Sequence, residues 1–430
     1  MYNTLLSVYV LLIAIFVCVY CHSDENLYQA KDNLPVHGPN QVRYLLYDVN
    51  PGEGFNLRRD VYMRVANLVK FLNEDEPWVL VLPPWVRLYH WRSTSLRPQN
   101  KIPWREFFDI NSLALHVPVM EFEDYLKKVD TPVIDEVYYL QRYKEGWSKW
   151  EEKMDIRECV DPARYHQDEN GNWRGRFFDY EEVYAKKFEC MSAQAYLLTF
   201  KPFLMKNTTG QSVFLDRAET MIHGQYSEWS PEWWTARRSM VFAKHLRDDA
   251  DWYRETYLDS NDKKDKTKLE VWTKMKRAHG EAKGGPYVAI HLRRNDYLHA
   301  HPKEVPSYEN AVKQTIKYLK KYKIKKVYVS TDASWDDYFK FKKMFGSDYE
   351  IFKFEKQNLT VYKDGHLSII DQWICAHARV FIGSYVSTFS FRIQEEREIL
   401  GFDQETTFNR FCGDDEPKDC EQPTKWDIKY

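Results

Sequence analysis

The stretch YVAIHLRRND, at residues 287–296, joins a strand pattern to a cluster of basic side chains. Its first four residues are apolar, with small and β-branched side chains, which is typical of a strand buried in a parallel sheet. His291, Arg293 and Arg294 follow at the carboxyl end of that strand, where α/β proteins bind their ligands. Arginine suits phosphate oxygens because its guanidinium is planar and permanently charged. An Arg-Arg pair is more often a solvated charge cluster, so the anion site remains a hypothesis at this point.

Regular alternation of strands and helices follows this stretch. The pattern predicts strands at 287–292, 326–330 and 380–382, and helices around 311–319, 335–345 and 369–378. This alternation favours a parallel, doubly wound sheet.

A second strand-turn-helix pattern lies nearer the amino terminus. A strand is predicted at 42–48, then a Gly-Glu-Gly turn at 52–54, and apolar residues at helical spacing from Phe55 onward. The strand predicted at 78–82 precedes a long aromatic region with fewer clear strands. The polar run at 259–266 predicts an exposed loop near a domain junction.

Composition favours a dense globular protein of two domains. The 430 residues are 43% hydrophobic and 16% aromatic, enough for two cores. The formal net charge is −2, so there is no basic excess to indicate a nucleic acid partner, and any anion site must be local.

The amino terminus indicates the secretory pathway. Residues 5–21 form an uncharged apolar run that is short for a membrane span and is followed at once by polar residues. This favours a cleaved signal peptide at 1–21 over the alternative, an uncleaved signal anchor. No later segment is apolar enough to cross a bilayer, so no stable membrane insertion is expected after cleavage.

Cysteine usage agrees with that route. Five cysteines follow the leader: Cys159, Cys190, Cys375, Cys412 and Cys420. Two disulfides and one free thiol is the simplest arrangement, although the sequence permits several pairings. Cys375 lies in a helical pattern and is expected to be a small buried hydrophobe. The sequons at Asn207 and Asn358 predict glycosylation in the lumen.

Several motifs together resemble one enzyme family. The HxRRxD pattern at 291–296 looks like the sugar-nucleotide motif shared by α1,2-, α1,6- and protein O-fucosyltransferases. GEGFNLRRD at 52–60, DQWICAHA at 371–378, FIGS at 381–384 and STFS at 387–390 extend the likeness. In this order they resemble the protein O-fucosyltransferases that modify thrombospondin type 1 repeats, over about 41–430. Gly52 departs from the family, which often has proline there.

The resemblance implies an α/β fold of the GT-B type, with two Rossmann-like doubly wound domains facing across a cleft. The expected segments are a signal peptide at 1–21, an extension at 22–40, an acceptor-side domain with the base loop at 41–250, and a domain that binds GDP-fucose at 251–430. The family also favours disulfides Cys159–Cys190 and Cys412–Cys420, and a location in the lumen of the endoplasmic reticulum, with the Golgi as the alternative compartment.

The resemblance also assigns functional residues. Glu53 would be the general base and Arg293 would stabilise the leaving diphosphate. Contacts to GDP-fucose would come from Gly52, Glu53, Gly54, Phe55, Asn56, His291, Leu292, Arg293, Asp371, Ser387, Thr388 and Phe389. Glu396 falls in a part of the family pattern linked to activity, without an assigned role.

Elementary chemistry supports the two central assignments. A hydroxyl becomes a good nucleophile when a positioned base takes its proton, and the helix that follows Glu53 favours an ionised carboxylate through its dipole. The alternative for Glu53 is an ordinary helix-start glutamate.

Strand alternation does not settle whether Arg293 or Arg294 points inward, and the family favours Arg293. Asp371 would open a helix and accept from guanine N–H groups, where a plain helix-start charge is the alternative.

No cofactor is expected, because arginine can take the place of a metal in stabilising a diphosphate. Asp249 and Asp251 fit a DxD metal motif, but their context reads as an exposed helix face, and residues at i and i+2 point to different sides. We therefore reject them as metal ligands.

The expected function is inverting transfer of L-fucose from GDP-β-L-fucose to Ser or Thr of folded, disulfide-bonded thrombospondin repeats, which contributes to their folding and secretion. One alternative is a fucosyltransferase that acts on glycans. Another is a non-catalytic quality-control protein that binds GDP-sugar or cysteine-rich modules. Such a protein would be expected to lack either the base or the leaving-group cation, and both candidates are present here.

Overall fold

The computed structural model describes residues 42–430 except 87, 89, 92, 94–98, 130, 147–149, 162–163, 223–229 and 355–360. The expected signal peptide at 1–21, the extension at 22–40 and the Asn358 sequon lie outside the described residues. Within the described part, no helix is both long enough and apolar enough to cross a membrane.

A mixed sheet organises the first half of the chain. Nine strands are found among the described residues: β1 Arg43–Tyr47, β2 Trp78–Leu82, β3 Val119–Glu121, β4 Val133–Gln141, β5 Lys153–Arg157, β6 His166–Gln167, β7 Trp173–Arg174, β8 Tyr184–Gln194 and β9 Ser212–Asp216. Their order is β3-β2-β1-β9-β4-β8-β7-β6, and β5 pairs with β8. Pairing is parallel from β3 to β8 and antiparallel for β5, β6 and β7.

Four parallel strands form a second sheet. They are β10 Gly285–Leu292, β11 Lys326–Thr331, β12 Glu350–Phe352 and β13 Ala378–Ile382, in the order β12-β11-β10-β13 among the described residues. The predicted strands at 287–292, 326–330 and 380–382 are confirmed, and so is the α/β class with parallel sheets.

The α-helices of the described chain connect and cover these sheets. They are α1 Phe55–Leu72, α2 Ile110–Ala114, α3 Phe122–Val129, α4 Phe200–Lys206, α5 Pro231–Ser239, α6 Lys244–Tyr257, α7 Asp262–Asp265, α8 Tyr297–Ala300, α9 Tyr308–Tyr322, α10 Trp335–Lys343, α11 Asp364–Ala376, α12 Thr388–Leu400 and α13 Gln404–Thr407. The helix expected to begin near Phe55 is confirmed. The helix expected at 369–378 begins earlier, at Asp364, so the prediction that Asp371 opens it is wrong.

The polar run at 259–266 is also not a fully exposed loop. It contains α7, and Ser260 and Asp265 are buried. The cause is Arg254, a buried guanidinium whose Nη1 lies 3.0 Å from Asp262 Oδ1 and whose Nη2 lies 3.3 Å from Asp265 Oδ2. A buried charge must be paired, and the polar run supplies the partners.

One hydrophobic core reaches both sheets. A single cluster of buried side chains includes Leu45 and Leu80 from the first sheet and Ala289 and Phe381 from the second. The boundary expected between residues 250 and 251 falls inside α6. The division into two domains facing across a cleft stays a prediction.

Both expected disulfides are present. Cys159 pairs with Cys190, and Cys412 pairs with Cys420. Cys375 is free and buried, as its helical pattern predicted. Asn207 is exposed at the end of α4, and its glycosylation stays a prediction.

Candidate active site

The turn that carries Glu53 connects β1 to α1. The Glu53 N–H donates to the carbonyl oxygen of Asn50 (2.9 Å), and Arg58 Nε donates to the carbonyl oxygen of Glu53 (3.1 Å). A Cβ atom added to Gly54 would lie 3.4 Å from His90 Cδ2, whereas one on Gly52 would meet nothing closer than 3.8 Å. A side chain at Gly54 would therefore touch the His90 ring at ordinary contact distance, and Gly52 leaves more room.

The environment of Glu53 raises the pKa of its half-buried carboxyl group. Burial is the largest cause and the negative charge of Glu219 is the next, against the opposing charges of Arg58, Arg64 and Arg217. The net shift is opposite to the one that the helix dipole alone predicts. A higher pKa makes a stronger base for as long as the group is ionised at the working pH.

Phe55 and Asn56 turn their side chains into the protein. Phe55 packs against Trp85, with ring centroids 4.9 Å apart. Asn56 Oδ1 accepts hydrogen bonds from Gln372 Nε2 (3.0 Å) and Arg59 Nη1 (3.3 Å). Only the backbone of these two residues therefore remains for a ligand. The first N–H groups of a helix have no partner within the helix, and they suit an anion.

At the carboxyl end of β10, His291 is buried and its ring stacks on Phe389, with centroids 4.4 Å apart. Its Nδ1 lies 2.9 Å from Ser390 Oγ. Burial, together with Arg293 and Lys353, lowers the pKa of His291 to about 3, so the ring is neutral at physiological pH. Leu292 next to it has its side chain in the core, which leaves only its backbone for a ligand.

The two arginines of the motif have different partners. Arg293 lies over the Tyr297 ring (4.2 Å to the centroid) and donates to both carboxylate oxygens of Asp296, at 3.2 and 2.7 Å. Arg294 lies over the Tyr308 ring (4.3 Å) and donates to the carbonyl oxygen of Pro306. Arg294 is thus engaged with a neighbouring loop and helix.

Ser384 joins the ends of β10 and β13. Its hydroxyl donates to the carbonyl oxygen of His291 (2.8 Å) and accepts from the N–H of Arg293 (2.9 Å). The loop then passes Val386, whose φ of 42° is unusual for a β-branched residue and indicates strain of the kind found at ligand sites.

Helix α12 begins directly after this loop. Ser387 is its fully buried N-cap residue, and its hydroxyl does not cap the helix. Thr388 and Phe389 form the first turn, so their N–H groups lack partners within the helix. The predicted phosphate loop therefore lies at a helix amino terminus, beside His291.

Asp371 lies in the middle of α11 and faces β11. Its carboxylate accepts from the Tyr328 hydroxyl and from Ser330 Oγ (2.8 Å). Burial raises its pKa, although both hydroxyl bonds and Lys353 oppose the shift. Its role towards guanine stays a prediction.

Glu396 has partners other than the residues above. Its Oε2 lies 2.9 Å from Arg237 Nη2, while Arg237 Nε contacts Glu395 Oε2 at 2.6 Å. These buried ion pairs fasten α12 to α5. Glu396 therefore holds in place the helix whose first turn carries Thr388 and Phe389.

His90 lies near the Glu53 turn and acts electrostatically on Asp296, which follows the strand end that carries Arg293. His90 contacts the position where a Gly54 side chain would be. Burial opposes the ionisation of Asp296, but Arg293, with a smaller contribution from His90, lowers the pKa of Asp296 overall. His90 is thus a neighbour of Gly54, next to the candidate base in sequence, and of Asp296, the partner of the candidate leaving-group cation.

One group of side chains in the described part of the chain has spacing suitable for a metal: His279, Glu398 and Asp427. It shares no residue with the site above. Asp249 accepts from the Tyr362 hydroxyl (2.7 Å), and Asp251 from Arg254 Nη1 (2.6 Å). Both are only partly exposed, so the expectation of an exposed helix face is wrong.

Four neighbours of the site were not assigned from the sequence. Ser384, Ser390 and Asp296 stand inside the quoted motifs, so their position in those motifs was the available signal. His90 carries no motif, and only the folded chain brings it to Gly54.

A family model described as GDP-fucose protein O-fucosyltransferase matches residues 44–400. The chain is 52% identical to GDP-fucose protein O-fucosyltransferase 2 of Homo sapiens over 393 residues, covering 90% of each chain. It is 48% identical to the protein of that name from Caenorhabditis elegans over 398 residues, covering 91% of each. Its fold is similar to the crystal structure of POFUT1 in complex with GDP-fucose, with a TM-score of 0.56, 14% identity, and coverage of 87% of this chain and 99% of that one. By its match to the family model and its identity to these relatives, the chain belongs to the GDP-fucose protein O-fucosyltransferase family.

Proposed function

We propose that this protein transfers L-fucose from GDP-β-L-fucose to a Ser or Thr hydroxyl of a folded thrombospondin type 1 repeat, with inversion and without a metal. The observation that carries the proposal is that Glu53 and Arg293 belong to two chain segments that both reach His90. The proposal assigns the base to the first of these segments and the leaving-group cation to the second. The solved relative is described as a complex with GDP-fucose, which supports the same donor here.

The reaction is a single displacement. The acceptor oxygen attacks the anomeric carbon of fucose while the bond from that carbon to the diphosphate oxygen breaks. The hydroxyl proton passes to the Glu53 carboxylate, and the electron pair of the broken bond leaves with GDP. Arg293 stabilises the developing charge on the diphosphate. Attack from the face opposite to the leaving group inverts the anomeric centre.

Backbone N–H groups complete the diphosphate site in this proposal. The first turns of α1 and α12 offer the N–H groups of Phe55, Asn56, Thr388 and Phe389 at the positive ends of two helix dipoles. The neutral His291 ring, held by Phe389 and Ser390, contacts the nucleotide, and Asp371 accepts from guanine.

Disulfides support a lumenal location, because such bonds persist in oxidising compartments. We place the protein in the endoplasmic reticulum, where newly made repeats acquire their own disulfides. Fucosylation there would contribute to the folding and secretion of these repeats.

Transfer should persist in excess EDTA. Arg293 supplies the charge that a divalent cation supplies in other transferases, so removing metal is expected to leave kcat unchanged. Initial rates with labelled GDP-fucose, measured with EDTA and with added Mn²⁺ or Mg²⁺, check this. A strict requirement for either ion would direct attention back to Asp249 and Asp251.

The acceptor should be recognised as a folded module. An unfolded peptide would have to be ordered on binding, and that cost lowers its affinity. Purified protein, labelled GDP-fucose and one repeat offered in oxidised and in reduced, alkylated form make the comparison direct. We expect the oxidised repeat to be modified and the reduced one to be a poor acceptor. Equal rates would indicate a linear-peptide groove.

The same assay separates the alternatives. A glycan-directed fucosyltransferase would modify free sugars, and a non-catalytic binding protein would retain GDP-fucose without turnover. The presence of both Glu53 and Arg293 favours the catalytic proposal.

A further inference from the structure

Glu219 lies behind the turn that carries Glu53, on a different part of the chain. It belongs to the short 3-10 helix Ala218–Thr220, which follows β9. The N–H of Ala218 donates to the carbonyl oxygen of Asp48 at the end of β1 (2.8 Å), and Arg64 Nη1 donates to the carbonyl oxygen of Glu219 (3.1 Å). The backbone of Glu219 is thereby fixed to the same strand end and helix that flank Glu53.

The side chain of Glu219 reaches into that turn. Its Oε2 accepts from the N–H of Asn50 (3.1 Å), and the carbonyl oxygen of Asn50 accepts from the N–H of Glu53 (2.9 Å). Two consecutive hydrogen bonds therefore run from the Glu219 carboxylate to the backbone of Glu53. Its Oε1 faces Arg217 Nε at 3.4 Å. Only one-fifth of the Glu219 side chain is exposed, so water competes weakly for these contacts.

We propose that Glu219 is a positioning residue for the reaction: it holds the 50–53 turn in place and sets a negative charge at the turn that carries Glu53. This rests on the proposed function of Glu53 as the base. No contact of Glu219 with donor or acceptor is required, because it acts through the backbone of Asn50 and through charge.

The charge has a defined sign of effect. After burial, Glu219 is the largest influence that raises the pKa of Glu53, and Arg58, Arg64 and Arg217 lower it. The acid limb of a kcat/KM profile reports the pKa of the free enzyme's base. Removing the Glu219 charge lowers that pKa, so activity should persist to lower pH.

Two other carboxyl groups face Glu219 and must be separated from Glu53. Burial raises the pKa of Asp48 to about 7 and that of Asp216 to about 6, and Glu219 adds to both shifts. If the limb belongs to Glu53, it is missing from the residual activity of Glu53→Gln. A limb that remains in Glu53→Gln would assign the pH effect to Asp48 or Asp216 and overturn the charge part of the proposal.

Two substitutions separate positioning from charge. Glu219→Gln keeps an oxygen that can accept from Asn50 N–H but loses the charge, so turnover near neutral pH should remain while the acid limb moves to lower pH. Glu219→Ala loses both, and kcat should fall about tenfold to a hundredfold, the scale of a misplaced catalytic group, with KM for GDP-fucose unchanged. Glu182→Gln, at an exposed position, controls for the loss of one negative charge.

The outcomes are distinguishable from failure of the proposed function. Even if Glu53→Gln is inactive, wild-type kcat in Glu219→Ala overturns the positioning role, and an unmoved acid limb in Glu219→Gln overturns the charge part of the proposal. Full activity of Glu53→Gln overturns the proposed base itself. Should Glu219→Ala fail to fold, as judged by its Tm, Glu219→Asp takes its place: the shorter side chain keeps the charge but withdraws the carboxylate from the Asn50 N–H, so its kcat should fall, and wild-type kcat would overturn the positioning role.

Discussion

Glu53→Gln is expected to lower kcat at least about a hundredfold, which corresponds to roughly 2.7 kcal/mol of transition-state stabilisation. Glutamine has almost the same shape, but its amide cannot take the proton from the acceptor hydroxyl. The backbone bonds of the turn, to Asn50 and from Arg58, do not involve the side chain and should survive. Single-turnover rates with labelled GDP-fucose and a folded repeat measure the effect.

Measurements of GDP binding and of stability show whether Glu53→Gln affects the chemical step alone. GDP affinity by calorimetry and the Tm should match wild type, because the Glu53 carboxylate is assigned to the acceptor proton. Glu74→Gln, at an exposed position just after α1 where Glu74 pairs with Lys201, is the matched carboxylate control and should remain active. Near-normal turnover of Glu53→Gln would remove Glu53 from the mechanism.

Arg293→Ala is expected to lower transfer by at least about a thousandfold, the scale known for arginines that stabilise a departing phosphate. It should also weaken GDP binding, because the diphosphate loses a charge-assisted partner. Tyr297 and Asp296 would remain in place, so the loss is one of charge at a preformed site. Turnover and GDP titration by calorimetry measure the two effects separately.

Arg294→Ala is the paired control. Arg294 donates to Pro306 and covers the Tyr308 ring, so its removal should lower stability more than it lowers the rate per folded molecule. The opposite pattern, with an inactive Arg294→Ala and an active Arg293→Ala, would mean that the second arginine faces the diphosphate.

The sequence predicted those elements whose apolar pattern is uninterrupted. β10, β11 and α1 were predicted because the apolar side chains that they bury recur at regular spacing. β4 and β8 were missed although they are long, since charged residues interrupt the apolar pattern of both. In the folded protein, charged residues of the two strands pair with each other: Lys186 Nζ lies 2.7 Å from Asp135 Oδ1.

The start of α11 was missed for a related reason. Gly365 in its first turn reads as a helix breaker, yet a side chain there would come within 2.7 Å of the Phe107 ring. Tertiary packing therefore requires the glycine. This contact joins residues distant in sequence, and no local pattern encodes it.

In the candidate site too, some residues are indicated by local sequence patterns and others are brought in only by the fold. The sequence alone could indicate Glu53, His291 and Arg293, because they stand in compact motifs at the ends of strands. His90 and Glu219 act through contacts with a turn far away in the chain, and they carry no motif of their own. The pKa of Glu53 likewise depends on burial and on Glu219, which the helix dipole alone does not reveal.

The core shared by the two sheets couples the energetics of the whole molecule. Because side chains from Leu45 to Phe381 belong to one buried cluster, and Arg237 is paired with Glu395 and Glu396, neither half can unfold without exposing apolar surface and buried charge of the other. A nucleotide bound at the ends of β10 and β13 would therefore raise the free energy of unfolding for the entire chain, including the turn that carries Glu53. Nucleotide binding there and the order of the Glu53 turn would then be thermodynamically linked.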